Sequence, residues 1–272
     1  MINWHKIRTA YHSVRQKIGM EKAHGRPEDS VHVVRGGPLA GYKLFLDPSG
    51  EWQNDMLTGI YDSFLWKKMD VLDLDGKIIF DIGSQIGHHA MAFAKLVGPN
   101  GCVHAFEPNT FNFERLQKNI AANPGLSGRI VAHPIAISDK EGREEFIFSS
   151  RIEKGSSASS FLDRADAIAD KNSLEQNHGF KRALVETSSL DTFIAENSLK
   201  PYAIKIDVEG AEYLVMNGVA QTLKDIRPIF FIEMHTILNM FKVGEILHAA
   251  KYRLELLDEG RDGRSFIAAF PL

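Results

Sequence analysis

The side chains best placed to do chemistry fall in four short stretches. The run Lys77 to Ile82 is mostly β-branched or aromatic, reads as a buried strand, and carries Asp81 near its end, just before the loop Gly83-Ser-Gln-Ile-Gly87. Glu107 ends a second such run 26 residues after Asp81, about one β-α-β unit away. An acidic side chain there can accept hydrogen bonds from both hydroxyls of a ribose. In Tyr202-Ala-Ile-Lys-Ile-Asp-Val208, Lys205 and Asp207 share one strand face and Ile204 and Ile206 the other. Glu209-Gly-Ala-Glu212 follows directly, and a last apolar run ends Ile232-Glu-Met-His235.

Charge inside a strand is costly unless it is paired or functional. A Lys205–Asp207 or Lys205–Glu209 ion pair would satisfy that requirement by itself. In a parallel sheet, however, Asp207, Glu209, Glu233 and His235 also converge on the rim where such sheets bind ligands. Asp207, Glu209 or His235 there can serve as general base toward a hydroxyl. The four rim groups can instead hold a divalent cation. No closed metal-ligand spacing is present, so no metal is expected.

The glycine pattern narrows the ligand. It is Asp-x-Gly-x-x-x-Gly, with Gln85 where a dinucleotide fingerprint needs a second glycine for close approach to a pyrophosphate. A phosphate-free ligand with a ribose and an amino-acid tail suits the loop better, and S-adenosylmethionine is such a molecule. Asp81 and Gly83 to Gly87 are then expected to hold its methionine part, Glu107 the ribose, and Ala136 and Ile137 the adenine. The competing readings are a generic α/β turn and a nicotinamide-dependent oxidoreductase.

These residues need a scaffold of strands at about 77–82, 102–107, 130–136, 201–207 and 228–234. Helices are expected over about 87–97, 110–122, 211–224 and 238–250. Such alternation predicts a parallel sheet covered on both faces. The C-terminus departs from it. Tyr252 to Leu257 and Ser265 to Phe270 are strands separated only by Asp258 to Arg264, too short for a parallel crossover, so they must be antiparallel.

Upstream, residues 1–20 carry an apolar stripe, Trp4, Ile7, Tyr11, Val14 and Ile18, on a basic amphipathic helix. It is expected to pack on its own domain or on a second copy, making a homo-oligomer possible. A hairpin follows from Val31 to Leu46, and Asp47-Pro-Ser-Gly-Glu51 caps a helix running toward Leu57. A second helix, Tyr61 to about Val71, should lie across the C-terminal edge of the sheet, with Tyr61 and Asp62 near the ligand. The organisation expected is an N-terminal layer over 1–72 and a main domain over 73–272. Within the latter, 139–188 is a long insertion with strands near Glu144–Phe148 and Ala183–Glu186 and a helical patch near Leu162–Ala169. A long irregular insertion is usually a lid or binding loop, here assigned to the acceptor.

The chain of 272 residues, 44% hydrophobic and 25% charged, is ordinary for a globular protein. A formal net charge of −3 argues against nucleic acid as a partner. The lone Cys102 fits a reducing compartment. With no spanning apolar run and no secretory signal, the expected location is cytoplasmic.

Taken together, the ordered strings resemble the FkbM-type family of S-adenosylmethionine-dependent methyltransferases. They are Phe80-Asp-Ile-Gly-Ser-Gln-Ile-Gly87, Ala105-Phe-Glu-Pro108, Ala136-Ile-Ser-Asp139, Ser189-Leu-Asp-Thr-Phe193, Ile204-Lys-Ile-Asp-Val-Glu-Gly-Ala-Glu212 and Phe231-Ile-Glu-Met-His235. The resemblance implies a class I, Rossmann-like α/β fold. Its sheet has seven mostly parallel strands and an antiparallel last strand, with the N-terminal helix and hairpin as an extension. It implies methyl transfer to a hydroxyl of a sugar, glycan or polyketide-type natural product. Cofactor contacts would come from Asp81, Gly83, Ser84, Gln85, Gly87, Glu107, Pro108, Asn109, Ala136, Ile137 and Asp207. Catalysis would fall to Lys205, Asp207, Glu209 and His235. Two departures, Ser84-Gln85 for the family's Ala-Asn and Gly59-Ile-Tyr-Asp62 where the family more often ends in Glu, bear on affinity rather than cofactor identity. A cofactor-binding protein without turnover, or a methyltransferase acting on RNA, protein or nitrogen, would keep the same fold.

Overall fold

Short β-branched runs separated by apolar helical stretches bury both faces only as a covered parallel sheet. The computed structural model, which describes residues 30–46, 51–149, 160–162, 165, 180–259 and 264–272, has that arrangement at its centre. A hairpin, β1 (Ser30–Val33) and β2 (Lys43–Leu46), precedes helices α1 (Glu51–Thr58) and α2 (Ser63–Met69). Then come β3 (Ile78–Ile82), α3 (His88–Leu96), β4 (Cys102–Phe106), α4 (Thr110–Ala121), the short α5 (Pro124–Ser127) and β5 (Ile130–His133). Strands β6 (Ala136–Ser138), β7 (Gly142–Ser149), β8 (Ser160–Leu162) and β9 (Phe180–Ser189) lead to α6 (Leu190–Asn197) and β10 (Ala203–Ile206). The chain closes with α7 (Glu212–Asn217), α8 (Ala220–Asp225), β11 (Ile229–Met234), α9 (Ile237–Ala249), β12 (Tyr252–Glu259) and β13 (Ser265–Pro271).

The main sheet has seven strands in the order β12-β13-β11-β10-β3-β4-β5. β10, β11, β3, β4 and β5 pair in parallel, and β13 is antiparallel to both β11 and β12. The reversal expected from the short C-terminal connection is present. Strand order switches direction between β3 and β10, which opens a crevice beyond their C-terminal ends.

Each face of the sheet has its own core. One joins Ile79, Val103 and Phe231 to Phe93 of α3, Leu65 of α2 and Leu44 of β2, so the N-terminal layer shares the main core. The other joins Phe80, Phe106, Ile204 and Phe230 to Phe193 of α6 and to Val243 and Leu247 of α9. Hairpin strand β2 is fastened by side chains rather than by a third strand. Asn119 on α4 and Asn123 just beyond its end accept from the N–H groups of Phe45 (2.6 Å) and Lys43 (2.9 Å).

Three features differ from the linear reading. The strand expected over 130–136 stops at His133, because Pro134 has no N–H for the ladder. The chain then enters a second sheet, ordered β6-β9-β7-β8, which contains the two strands expected in the insertion. The helix expected over 211–224 breaks into α7 and α8 at Gly218, whose added Cβ would lie 2.4 Å from the Ser138 carbonyl oxygen. Helix α6 was not anticipated. Its start is marked by Ser189, which accepts from the Thr192 N–H, while Asp191 caps α8 by accepting from the N–H groups of Gln221 and Thr222. The amphipathic segment 1–20, the cap at 47–50 and most of the helical patch near Leu162–Ala169 lie outside the described residues. Among the described residues no helix is long and apolar enough to cross a membrane.

Candidate active site

The crevice at the strand-order switch is a cleft lined from both sheets and the N-terminal layer. Gly83 and Gln85 form its floor. The left-handed backbone of Gly83 (φ +80°) leaves so little room that an added Cβ would sit 1.7 Å from the Asp207 carbonyl oxygen. No side chain fits where β3 and β10 release their chains side by side.

Glu107, just beyond β4, lines one half of the cleft. Oε2 accepts from the Gln85 N–H (2.8 Å) and Oε1 from the Asn109 N–H (2.9 Å), so the carboxylate is held before any ligand arrives. The Asn112 side chain is a third partner, which leaves the carboxylate a lone pair for a ribose hydroxyl. Burial raises its pKa to about 7, against the lowering effect of those backbone hydrogen bonds. Pro108, Ile135, Ala136, Ile137, Phe146 and Leu162 continue this half as an apolar slot, the last four supplied by the second sheet. This chemistry fits S-adenosylmethionine: a carboxylate for a ribose hydroxyl, a slot for a flat base, and a glycine floor.

The other half carries Asp207, Glu209 and Glu233, with Tyr61 and Trp52 from the N-terminal layer. Lys205, 1% exposed, lies beneath, with Nζ 3.1 Å from Asp207 Oδ2 and 3.5 Å from Asp81 Oδ1. Burial alone would lower the Lys205 pKa, but the two carboxylates hold it well above the ordinary lysine range. Burial would likewise raise Asp207, and Lys205 and His235 pull it down instead. Glu209, in a left-handed backbone (φ 52°), is pushed up to about 7 by burial, partly offset by His235. Burial and then Asp207 push Glu233 up to about 8. His235 Nδ1–H donates to Glu212 Oε1 (2.8 Å), and the hydrogen bond and charge of Glu212 overcome burial to raise it to about 10.

The expected residues therefore separate into two shells. Gly83, Gln85, Glu107, Pro108, Ala136, Ile137, Asp207 and Glu209 line the cleft. Asp81 and Lys205 are buried under it, Ser84 turns its hydroxyl to the Asp81 carbonyl (2.6 Å), Gly87 packs against Leu116, and Asn109 caps α4. Asp62, expected near the ligand, instead pairs with His89 (2.9 Å). Glu212, Arg264, Phe146 and Leu162 had no assigned role in the sequence. Glu212 meets His235 from 23 residues away, a pairing that no local spacing rule encodes.

The Methyltransferase FkbM domain model matches residues 81–257, which span these groups except Trp52, Tyr61, Asp62 and Arg264. The chain belongs to the FkbM methyltransferase family. Membership places it among S-adenosylmethionine-dependent methyltransferases. It is 26% identical over 186 residues to the hexuronic acid methyltransferase AglP of Haloferax volcanii, covering 68% of this chain and 67% of that protein. It is 33% identical over 164 residues to the 31-O-demethyl-FK506 methyltransferase FkbM of Streptomyces tacrolimicus, covering 53% of this chain and 60% of that one. The FkbM methyltransferase structure from Methylobacillus flagellatus KT shares the fold, with a TM-score of 0.50 at 15% identity, over 97% of this chain and 59% of that one. The family member described here thus spans about two thirds or less of these relatives' lengths.

Proposed function

We propose that this FkbM-family protein binds S-adenosylmethionine in the cleft and transfers its methyl group to a hydroxyl of a sugar, glycan or polyketide-type acceptor. The observation that carries the reading is the position of the preset Glu107 carboxylate, across the Gly83 floor from the Asp207–Glu209–Glu233 rim. The two relatives act on a hexuronic acid and on the 31-oxygen of an FK506 precursor by their names, which favours an oxygen acceptor.

When bound, the cofactor supplies a methyl group whose bond to sulfur breaks with the electron pair staying on sulfur. Glu107 orients the ribose, and the apolar slot excludes water from the base. The acceptor hydroxyl must lose a proton as its oxygen forms the new bond, and a base with a pKa near the working pH does this best. Glu209, raised to about 7 and facing the cleft, suits that role better than Asp207, held low, or His235, raised to about 10. In this reading residues 73–272 are the catalytic unit, the described part of 1–72 a layer packed on it, and the strands of segment 139–188 a wall of the base slot.

Calorimetry with S-adenosylhomocysteine and NAD+ separates this from an oxidoreductase; the homocysteine product should bind and NAD+ should not. Labelled methyl transfer to a panel of uronic acids, neutral sugars and hydroxylated macrolides then identifies the acceptor class. Glu209→Gln should lower turnover on that acceptor by about 100-fold or more with unchanged S-adenosylhomocysteine affinity. Preferential NAD+ binding, or full turnover in that variant, refutes the corresponding part.

A further inference from the structure

Behind the acceptor half of the cleft stands a histidine whose outer ring nitrogen has no hydrogen-bond partner among the described residues. The His235 side chain is 7% exposed, and its Nδ1 is occupied by Glu212 Oε1 at 2.8 Å. With Nδ1–H donating to that fully buried carboxylate, Nε2 is the ring nitrogen left for a cation, whose binding releases the Nε2 proton. Nε2 has no hydrogen-bond partner among the described residues. It faces Glu209 Oε2 at 3.6 Å, Asp207 Oδ1 at 3.7 Å and Glu233 Oε1 at 3.9 Å. These separations are long for hydrogen bonds. They match neighbouring ligands on one cation, because bonds of about 2.1–2.3 Å place donor atoms about 3–4.5 Å apart.

The ligand set is also braced from outside. Lys205 engages Asp207 Oδ2 and leaves Oδ1 turned toward Nε2; Arg264 Nη1 donates to Glu233 (3.1 Å); Glu212 fixes the imidazole. Outer partners that orient each ligand are a regular feature of metal sites. One potential ligand atom each from Asp207, Glu233 and His235 lie within 4.8 Å of one another. Along the chain these residues looked too scattered for a metal. Adjacency of β10 and β11 brings them together.

We propose that Asp207, Glu233 and His235 bind one divalent cation of the Mn2+ class, with open positions facing the cleft that take two adjacent oxygens of the acceptor. Two carboxylates and one imidazole favour Mn2+ over an all-oxygen Mg2+ site and over thiolate-seeking metals. The cation's role rests on the methyl-transfer reading; its binding does not. It selects acceptors with a vicinal diol or a hydroxy-carboxylate and acidifies the hydroxyl it holds. The hydroxyl proton passes to Glu209, the oxygen takes the methyl group, the methyl–sulfur bond breaks with both electrons left on sulfur, and the cation keeps its oxidation state.

The test is a Mn2+ titration of the chelator-stripped, dialysed full chain, followed by loss of the free-ion electron paramagnetic resonance signal. About one Mn2+ per chain is expected, and Glu233→Gln and His235→Ala should each weaken it about tenfold or more. A cooperative thermal melt of Glu233→Gln without ligand shows that the variant is folded, and a thermal shift of the wild type with S-adenosylhomocysteine reads cofactor binding separately. An undiminished Mn2+ signal over the wild-type protein, or wild-type titration of Glu233→Gln, overturns the site. Mn2+ uptake without any response to S-adenosylhomocysteine would keep the site and remove its role in methyl transfer. The converse result would keep the methyltransferase and remove the metal.

Discussion

Glu107 shows how one side chain can be both preset and tunable. Two backbone N–H groups hold its oxygens, yet burial raises its pKa to about 7. Below that pH the unliganded group is protonated, and the ionised carboxylate is the stronger acceptor for a ribose hydroxyl. Affinity for S-adenosylhomocysteine should therefore rise between pH 6 and 8, by at most about tenfold per pH unit, and level off above. Glu209 and Glu233 titrate in the same range, so Glu107→Gln is the control. That variant should bind weakly with a flatter profile. Calorimetry at several pH values reads both, and an unchanged slope in the variant would move the effect to the rim carboxylates.

Hairpin strand β2 is supported sideways by a helix. Asn119, fully buried, accepts from the Phe45 N–H and donates to the Ile86 carbonyl (2.7 Å) in the chain between Gly83 and α3. One amide thus ties the N-terminal layer to the segment leaving the cofactor loop. Replacing Asn119 with Ala leaves two backbone groups without that partner at a buried site, which costs about 1–3 kcal/mol. Urea denaturation should show a lower midpoint with an unchanged m-value. Because Trp52 and Tyr61 reach the cleft from the same layer, S-adenosylhomocysteine binding should weaken as well. A loss of stability below about 0.5 kcal/mol would mean that the hairpin is held mainly by Leu44 and Leu46 in the core.

For the molecule as a whole, acid should act through the His104–His133 pair. Their rings stack at 5.2 Å, share a hydrogen bond of 3.0 Å and pack against Phe193. Burial lowers His104 to about 4 and, with the nearby His104, lowers His133 to about 3. Between pH 6.5 and about 4 the unfolded chain binds protons here that the folded chain does not, so stability falls as pH falls. Each histidine contributes up to about 1.4 kcal/mol per pH unit in that window. The raised Glu107, Glu209 and Glu233 act in the opposite sense nearer neutrality, so the informative quantity is a difference. A His104→Leu/His133→Leu protein, with both partners removed together, should lose this acid-side slope in thermal melts from pH 6.5 to 4. Equal slopes in the two proteins would show that both rings protonate inside the fold.

Local spacing along the chain was enough for the alternating strands and helices, the reversed C-terminal pair, the placing of Glu107 at the cleft and the family strings around Asp81 and Lys205. Each of these depends on neighbours within a turn, a strand or one β-α-β unit, where residue order sets geometry directly. Three-dimensional packing decided the rest: the second sheet begun at Pro134, the burial of Asp81 and Lys205 beneath the cleft, and the meeting of Glu212 with His235. Burial and strand adjacency also sort chemically similar rim carboxylates, holding Asp207 low and raising Glu209. Those shifts depend on solvent exclusion and on charges from other strands, neither of which is written in the order of residues alone.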